Sequence, residues 1–334
     1  MLSRTASNLY WMSRYVERAE NTARVLDVTY RMSLVQREPA VAESEWYAPL
    51  NITGTLYPFK GRYSTVRSDQ VLTFMALDPA NPASILSCAK QARENARAVR
   101  VTLTSEMWEV INSTWLELSK LSGKDLSANP QAFFDWVKER SHLFRGVSLG
   151  TMHRSDAFQF MRLGTFLERS DNTARILDVK YHVLLSGPKE VGRAVDYYQW
   201  GSVLRSVSAF ETYKRVYRDA ITPLKIAELL VLREDFPRSL QFCLHEVFDI
   251  LNRLSPSPRA EVLRLGGELD SRLRFIRIQA IFKEGLHEYL TDFLSRTQAL
   301  SEEISRTFFR PDASAGPGHE FASMPRSFTQ ISEP

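Results

Sequence analysis

The sequence predicts an all-α protein built as two pseudo-symmetric, internally duplicated helical bundles packed together. Three observations predict it. Apolar residues recur at helical spacing along most of the chain, strand signals are few, and one long helical segment occurs twice.

The repeat is read residue by residue. Tyr15 to Tyr30 runs YVERAENTARVLDVTY, and Phe166 to Tyr181 runs FLERSDNTARILDVKY, at a spacing of 151 residues. Glu17-Arg18 meets Glu168-Arg169, and Asn21-Thr22-Ala23-Arg24 meets Asn172-Thr173-Ala174-Arg175. The exchanges Glu20/Asp171 and Val25/Ile176 are chemically small. Downstream, Trp46 meets Trp200, Tyr63 meets Tyr217, and Pro82, Ser84 and Cys88 meet Pro237, Ser239 and Cys243. A weaker match sets Asp135-Trp136-Val137 on Asp292-Phe293-Leu294. The spacing drifts up to 157, as small loop insertions would make it. The chain is therefore divided into a first repeat over 1–150, a second over 151–310, and a tail over 311–334. Units this long are not solenoid repeats.

Within the first repeat, residues 8–35 form a long amphipathic helix, with Met12, Tyr15, Val16, Ala19, Ala23, Leu26 and Tyr30 on one stripe. Leu163, Phe166, Leu167, Ser170, Ala174, Leu177 and Tyr181 form the matching stripe. Pro39 breaks the first helix, and Ser186-Gly187-Pro188 stops the second. Further helices are expected near 42–53, 63–78, 82–102, 104–121, 130–147, 196–218, 223–232, 237–254, 258–280 and 284–308. Pro82 and Pro237 suit the first turns of their helices. Ser122-Gly123-Lys124-Asp125 reads as a loop. The composition beyond Pro311 favours disorder.

Composition bounds function mainly by exclusion. The chain has 334 residues, 44% hydrophobic and 25% charged, enough for a sizeable core. Its 43 basic and 39 acidic residues leave a net charge of +4, well short of a nucleic-acid or membrane footprint. The 2 cysteines, Cys88 and Cys243, form no C-x-x-C pattern, and a reducing compartment is the simplest reading. The charged N-terminus is unlike a signal peptide, and no apolar run is long enough to span a bilayer. A cytoplasmic protein is expected.

Glu17, Glu20, Asn21, Arg24 and Asp27 share one helix face, with Tyr10 and Arg14 on it one and two turns earlier. Arg18 belongs to the same Glu-Arg pair. The second copy presents Glu168, Arg169, Asp171, Asn172, Arg175 and Asp178. Two readings stand. A solvated face with short-range ion pairs would be worth tenths of a kcal/mol per pair, on the order of 0.2–0.5. A specific polar network, buried between the copies or lining a central cleft, would need paired and fully hydrogen-bonded charges.

A second charged segment holds Arg93, Glu94, Arg97 and Arg100. Its counterpart, Val247 to Asn252, lacks the basic stripe, an asymmetry that favours an anionic ligand or partner on the first half, while an exposed helix face stays open as the plainer reading. Leu204 to Tyr213, with Arg205 and Tyr213, and Phe236 to Ser239, with Arg238, are further candidates. Their ordinary roles would be capping and interhelical pairing. Glu139…His142 and Glu284…His287 have the Glu-x-x-His spacing of di-iron bundles but do not superpose in the repeat, so no metal or cofactor is assigned. No P-loop, dinucleotide fingerprint or nucleophile elbow appears.

The segment from Leu2 to Arg24, LSRTASNLYWMSRYVERAENTAR, resembles the alpha-E family, a bacterial all-helical family of unknown function. Ala92–Arg100, Leu163–Asp178, Leu204–Tyr213 and Phe236–Ser239 resemble it too, so the likeness covers roughly residues 1–310. The resemblance implies association with circularly permuted ATP-grasp proteins, encoded alongside or fused, and with transglutaminase-like proteases as further neighbours. Such systems are thought to make or modify peptide or amide bonds. The family has no established catalytic residues, and its Glu-Arg motif maps onto Glu17-Arg18 and Glu168-Arg169.

Three functions follow as expectations. The first is a non-catalytic partner or substrate-binding subunit of an ATP-grasp ligase, taking a peptide or anionic small molecule. The second is an enzyme acting on a peptide or amide through the paired Glu/Arg/Asn helices. The third is a purely structural dimerising bundle.

Overall fold

A computed structural model of the chain describes residues 1–34, 45–185, 194–254 and 260–309. Pro39, the 186–188 break, the start of the 42–53 helix, residues 258–259, the Tyr181 side chain and the tail from 311 lie outside the described residues. Among the described residues there are helices and no strands.

The helices run α1 (Ser3–Ser33), α2 (Tyr47–Ile52), α3 (Leu56–Lys60), α4 (Ser68–Ala76), α5 (Ile85–Ala98), α6 (Ser105–Leu118), α7 (Gly123–Ala128) and α8 (Pro130–Thr151). A second series follows: α9 (Asp156–Leu185), α10 (Ala194–Ser206), α11 (Phe210–Tyr217), α12 (Pro223–Leu232), α13 (Leu240–Leu254), α14 (Ala260–Phe275), α15 (Ile278–Glu284) and α16 (Leu286–Ile304). A π-helical turn over Ser305–Phe309 closes the described chain.

Local chemistry explains most boundaries. Ser84 caps α5 by accepting from the Ser87 N–H, and Ser239 caps α13 by accepting from the Phe242 N–H. These caps place Pro82 and Pro237 before the helices, not inside their first turns as the sequence suggested. Asn129 caps α8 and Thr222 caps α12, each followed by proline at the first helical position. Ser122 and Asp125 form a capping box, so the segment read as a loop starts α7.

The helix expected over 196–218 is two helices. The Ala209 N–H reaches the Leu204 carbonyl (2.7 Å) and the Ser208 N–H reaches Arg205 (3.1 Å), ending α10 in a Schellman turn. Ser208 takes the left-handed position, φ 54°, where glycine is usual. The expected 258–280 helix likewise divides into α14 and α15.

The two longest helices, α1 and α9, lie against each other at the centre. Their hydrogen bonds join residues 150 to 154 apart, the spacing of the sequence repeat. The helices therefore run in the same direction with like positions facing. At the closest approach, a Cβ on Gly164 would lie 2.2 Å from the Tyr10 carbonyl oxygen.

One apolar cluster continues across both series, joining Leu9, Met12 and Met107 to Leu163, Trp200 and Leu290. A smaller cluster, including Trp46, Phe59, Phe74 and Phe134, fills the first series. Phe308 and Phe309 pack on Phe160, and Phe309 also meets Tyr10, fastening the end of the described chain to its beginning.

Candidate functional site

The solvated-face reading of the repeated motif is overturned. Glu17, Glu20, Asn21 and Asp27 are buried, as are Glu168, Arg169 and Asp178. The central helices are enclosed on nearly every side, so the polar stripe sits inside the molecule. The apolar stripe is buried at Met12, Ala19, Ala23, Leu26, Leu163, Leu167, Ala174 and Leu177, while Tyr15, Val16, Tyr30 and Phe166 are half-buried.

The two Glu-Arg pairs are exchanged between the helices. Arg169 donates to both oxygens of Glu17, from Nε at 2.9 Å and Nη2 at 3.0 Å. Arg18 donates to both oxygens of Glu168, from Nε at 2.5 Å and Nη2 at 3.0 Å. Each glutamate thus takes the arginine of the other copy as a bidentate partner. This fork geometry is the strongest a carboxylate and guanidinium can adopt.

Each pair then recruits different neighbours. Arg14 donates from Nε to Glu168 (2.7 Å) and from Nη1 to the Tyr10 hydroxyl (2.9 Å), and rests on the Trp11 ring. Glu17 gains Arg238 (3.1 Å) and Arg145 (2.9 Å). Arg238 also donates to Asn21 Oδ1 (3.0 Å) and Glu20 (2.7 Å). Glu20 further accepts from Arg24, Arg145 and the Ser141 hydroxyl. In the second copy, Asp171 pairs simply with Arg175 (2.7 Å), partly exposed.

These partners set the charge states. Burial pushes the Glu168 carboxyl up, but Arg18 and Arg14 outweigh it and hold it down at about 2. Burial opposes ionisation of Glu17 and Glu20 as well. Arg169 and Arg238 outweigh it at Glu17, and Arg238 leads at Glu20, keeping both carboxyls ionised. Arg238 is the exception among the arginines: burial dominates, and it falls to about 10 despite Glu17 and Glu20. Cys88 and Cys243 are fully buried thiols pushed up to about 12 by that burial, unsuited to nucleophilic work.

Other candidates lie apart from this centre. Asp27 holds Arg31 and Lys138 (2.7 Å each), and Asp178 pairs with His287 (2.6 Å). Arg93 bonds Asn112 (2.8 Å) and Glu94 (2.9 Å), and Arg97 lies 3.6 Å from Glu94 in an exposed position. Arg93 and Arg100 both lie over the Trp108 ring, so the basic stripe is tied to α6 and does not line the α1–α9 centre. Tyr213 is a buried staple, donating to the Ala220 carbonyl and accepting from the Thr222 N–H. Asn172 has a buried Nδ2 with no hydrogen-bond partner among the described residues. Arg205 stacks on Phe210, its guanidinium 4.1 Å from the ring centre.

The sequence reading missed Ser141 and Arg145, weighed His142 only as a metal ligand, and did not single out Ser208. Arg24 donates to the Ser208 hydroxyl (2.5 Å), and its Nη2 lies 3.1 Å from His142 Nε2. The one advance signal was Ser141, His142 and Arg145 at one-turn spacing on α8. Nothing local says that this face meets α1. Among the described residues, no group of three or more His, Cys, Asp or Glu is placed to hold a metal. A small apolar cavity of about 40 Å³ lies among α1, α5, α6 and α8, with Arg140 and Ser141 at its edge.

The repeated Glu-Arg helices, crossing in register with their charges exchanged, match a family described as "a predicted alpha-helical domain with a conserved ER motif" over residues 1–309. The chain belongs to the alpha-E family. It is also similar to uncharacterized proteins of Mycobacterium bovis and Mycobacterium tuberculosis, each 25% identical over 325 residues. A third, from another Mycobacterium tuberculosis strain, is 24% identical. The match covers 90% of this alpha-E chain and 36% of each relative, so the chain spans about a third of their length. No solved structure matches it. No described helix is long and apolar enough to cross a membrane.

Proposed function

We propose that this alpha-E protein is a non-catalytic partner or substrate-binding subunit of an ATP-grasp ligase, within a system that forms or modifies peptide or amide bonds. One observation carries the reading: the repeated charged motif is spent on buried, reciprocal ion pairs. Its carboxylates are held ionised by guanidinium groups. A carboxyl held near 2 is a poor proton acceptor at neutral pH, where efficient acid–base catalysts have matched values. The motif therefore frames a site instead of supplying its chemistry. Arg24, Arg145 and His142 remain partly reachable from solvent and offer donors suited to holding an anionic or peptide substrate for a partner. The greater length of the mycobacterial relatives suits a module that works joined to, or beside, another protein. A transglutaminase-like protease would act elsewhere in the same system.

The test is association. The purified chain should retain a circularly permuted ATP-grasp protein at micromolar concentration. No retention by pull-down or sedimentation would sink the reading. Turnover of an amide substrate by the chain alone would favour the enzymatic alternative.

A further inference from the structure

We infer that the face where Arg24, His142, Arg145 and Ser208 converge over Glu20 is a binding site for a small oxyanion, a carboxylate or a phosphate. The inference rests on the reading of the chain as a binding component, and adds the site and the ligand chemistry.

Charge balance is the first ground. Glu17 and Glu20 face four guanidinium groups, those of Arg24, Arg145, Arg169 and Arg238, all within 3.1 Å. Two anions therefore meet four cations in a largely buried cluster. A buried charge without a counter-charge is costly, so an excess of this kind calls for an added anion. Burial lowers Arg238 to about 10, and the neighbouring Arg169 and Arg24 guanidinium groups add to that fall.

Unused donors are the second ground. Asn21 is 2% exposed, and its Oδ1 accepts from Arg238, while its Nδ2 has no partner among the described residues. Among the described residues, Arg145 engages Glu17, Glu20 and Ser141 through Nη1 alone. Its side chain is 25% exposed, leaving the remaining guanidinium N–H groups for a ligand arriving from solvent. His142, 54% exposed, stands at the rim.

Backbone geometry is the third. The Schellman turn closing α10 would be met most easily by glycine at position 208. Serine is there instead, in the left-handed conformation, with its hydroxyl 2.5 Å from Arg24 Nη1. Strained residues of this kind collect at ligand sites. The other copy of the motif shares the unpartnered amide, at Asn172, but lacks the excess of cations. Ala83 stands where the repeat places Arg238, and Arg175 is matched one-to-one by Asp171.

The experiment is calorimetric titration of the full-length protein with inorganic phosphate and, separately, with succinate, at constant chloride ionic strength. At least one probe should bind with Kd below about 1 mM, and Arg145→Gln should weaken it at least about tenfold. Arg67→Gln, at an exposed arginine paired with Asp69, should leave it unchanged. Phosphate-only binding assigns a phosphoryl ligand, and succinate-only binding a carboxylate ligand. If Arg145→Gln fails to fold, the rim variants His142→Ala and Ser208→Gly replace it, each expected to weaken binding about threefold or more. Neither probe saturating by about 10 mM, or binding indifferent to the rim variants, overturns the site. Capture of the ATP-grasp partner without anion binding would remove the site alone. Anion binding without capture would remove the partnership alone.

Discussion

Glu168 has two largely buried guanidinium partners, Arg14 and Arg18, and among the described residues neither is paired with another carboxylate. Removing its charge strands both. Glu168→Gln should therefore destabilise the protein by about 3–5 kcal/mol, read from the midpoint of urea unfolding. The double variant Arg18→Glu, Glu168→Arg should recover part of that loss, because the pair is exchanged and not abolished. No recovery would mean that Arg14 and the surrounding packing decide the effect. The same residue sets an acid limit. Its folded value, about 2, lies below its unfolded value, so its contribution is present above the unfolded value and disappears as pH falls toward 2. Glu17 and Glu20, also lowered, act in the same direction. Thermal midpoints should fall steadily between about pH 5 and pH 2, and a flat profile there would contradict the buried pairing. At this scale the sequence was informative wherever two copies could be compared. The identities at Glu17/Glu168 and Arg18/Arg169 mark positions whose chemistry is specific. It was silent on Arg145 and Ser141, which belong to an ordinary amphipathic helix and acquire their role by meeting α1.

The pairing of α1 with α9 depends on close backbone approach as well as charge. Gly164→Ala would set a methyl against the Tyr10 carbonyl, which is backbone and cannot rotate aside. The helices would have to part, at a cost of about 1–3 kcal/mol, and the bidentate pairs one turn further on would lengthen with them. A melting temperature unchanged from wild type would argue that the contact is looser than described. Helix existence was legible from periodicity, and α12 falls on its expected bounds. Helix ends were less legible. The pattern continued through Ser208 because a Schellman turn built on serine carries no glycine signal. Ser122-Gly123-Lys124-Asp125 looked like a loop because a capping box and a turn use the same residue types.

Across the whole molecule, the apolar cluster passes without a break from the first helix series to the second, and the central ion pairs cross the same boundary. The two series should therefore unfold as one cooperative unit. Calorimetry should show a single transition whose van't Hoff and calorimetric enthalpies agree, and residues 1–151 alone should not fold, having lost Arg169 and Arg238 from Glu17 and Glu168 from Arg18. Two resolved transitions would refute this. The sequence by itself determined that the chain is helical and that one charged helix occurs twice, because helical period and residue identity are local properties. Only the tertiary structure decided what that helix is for. Whether Glu17 faces water or Arg169 depends on two segments 152 residues apart coming into register, and no local pattern encodes that meeting. The burial it produces turns a stripe of surface-like charges into the exchanged ion pairs at the centre of the fold, and leaves the uncompensated guanidinium groups on one side of it.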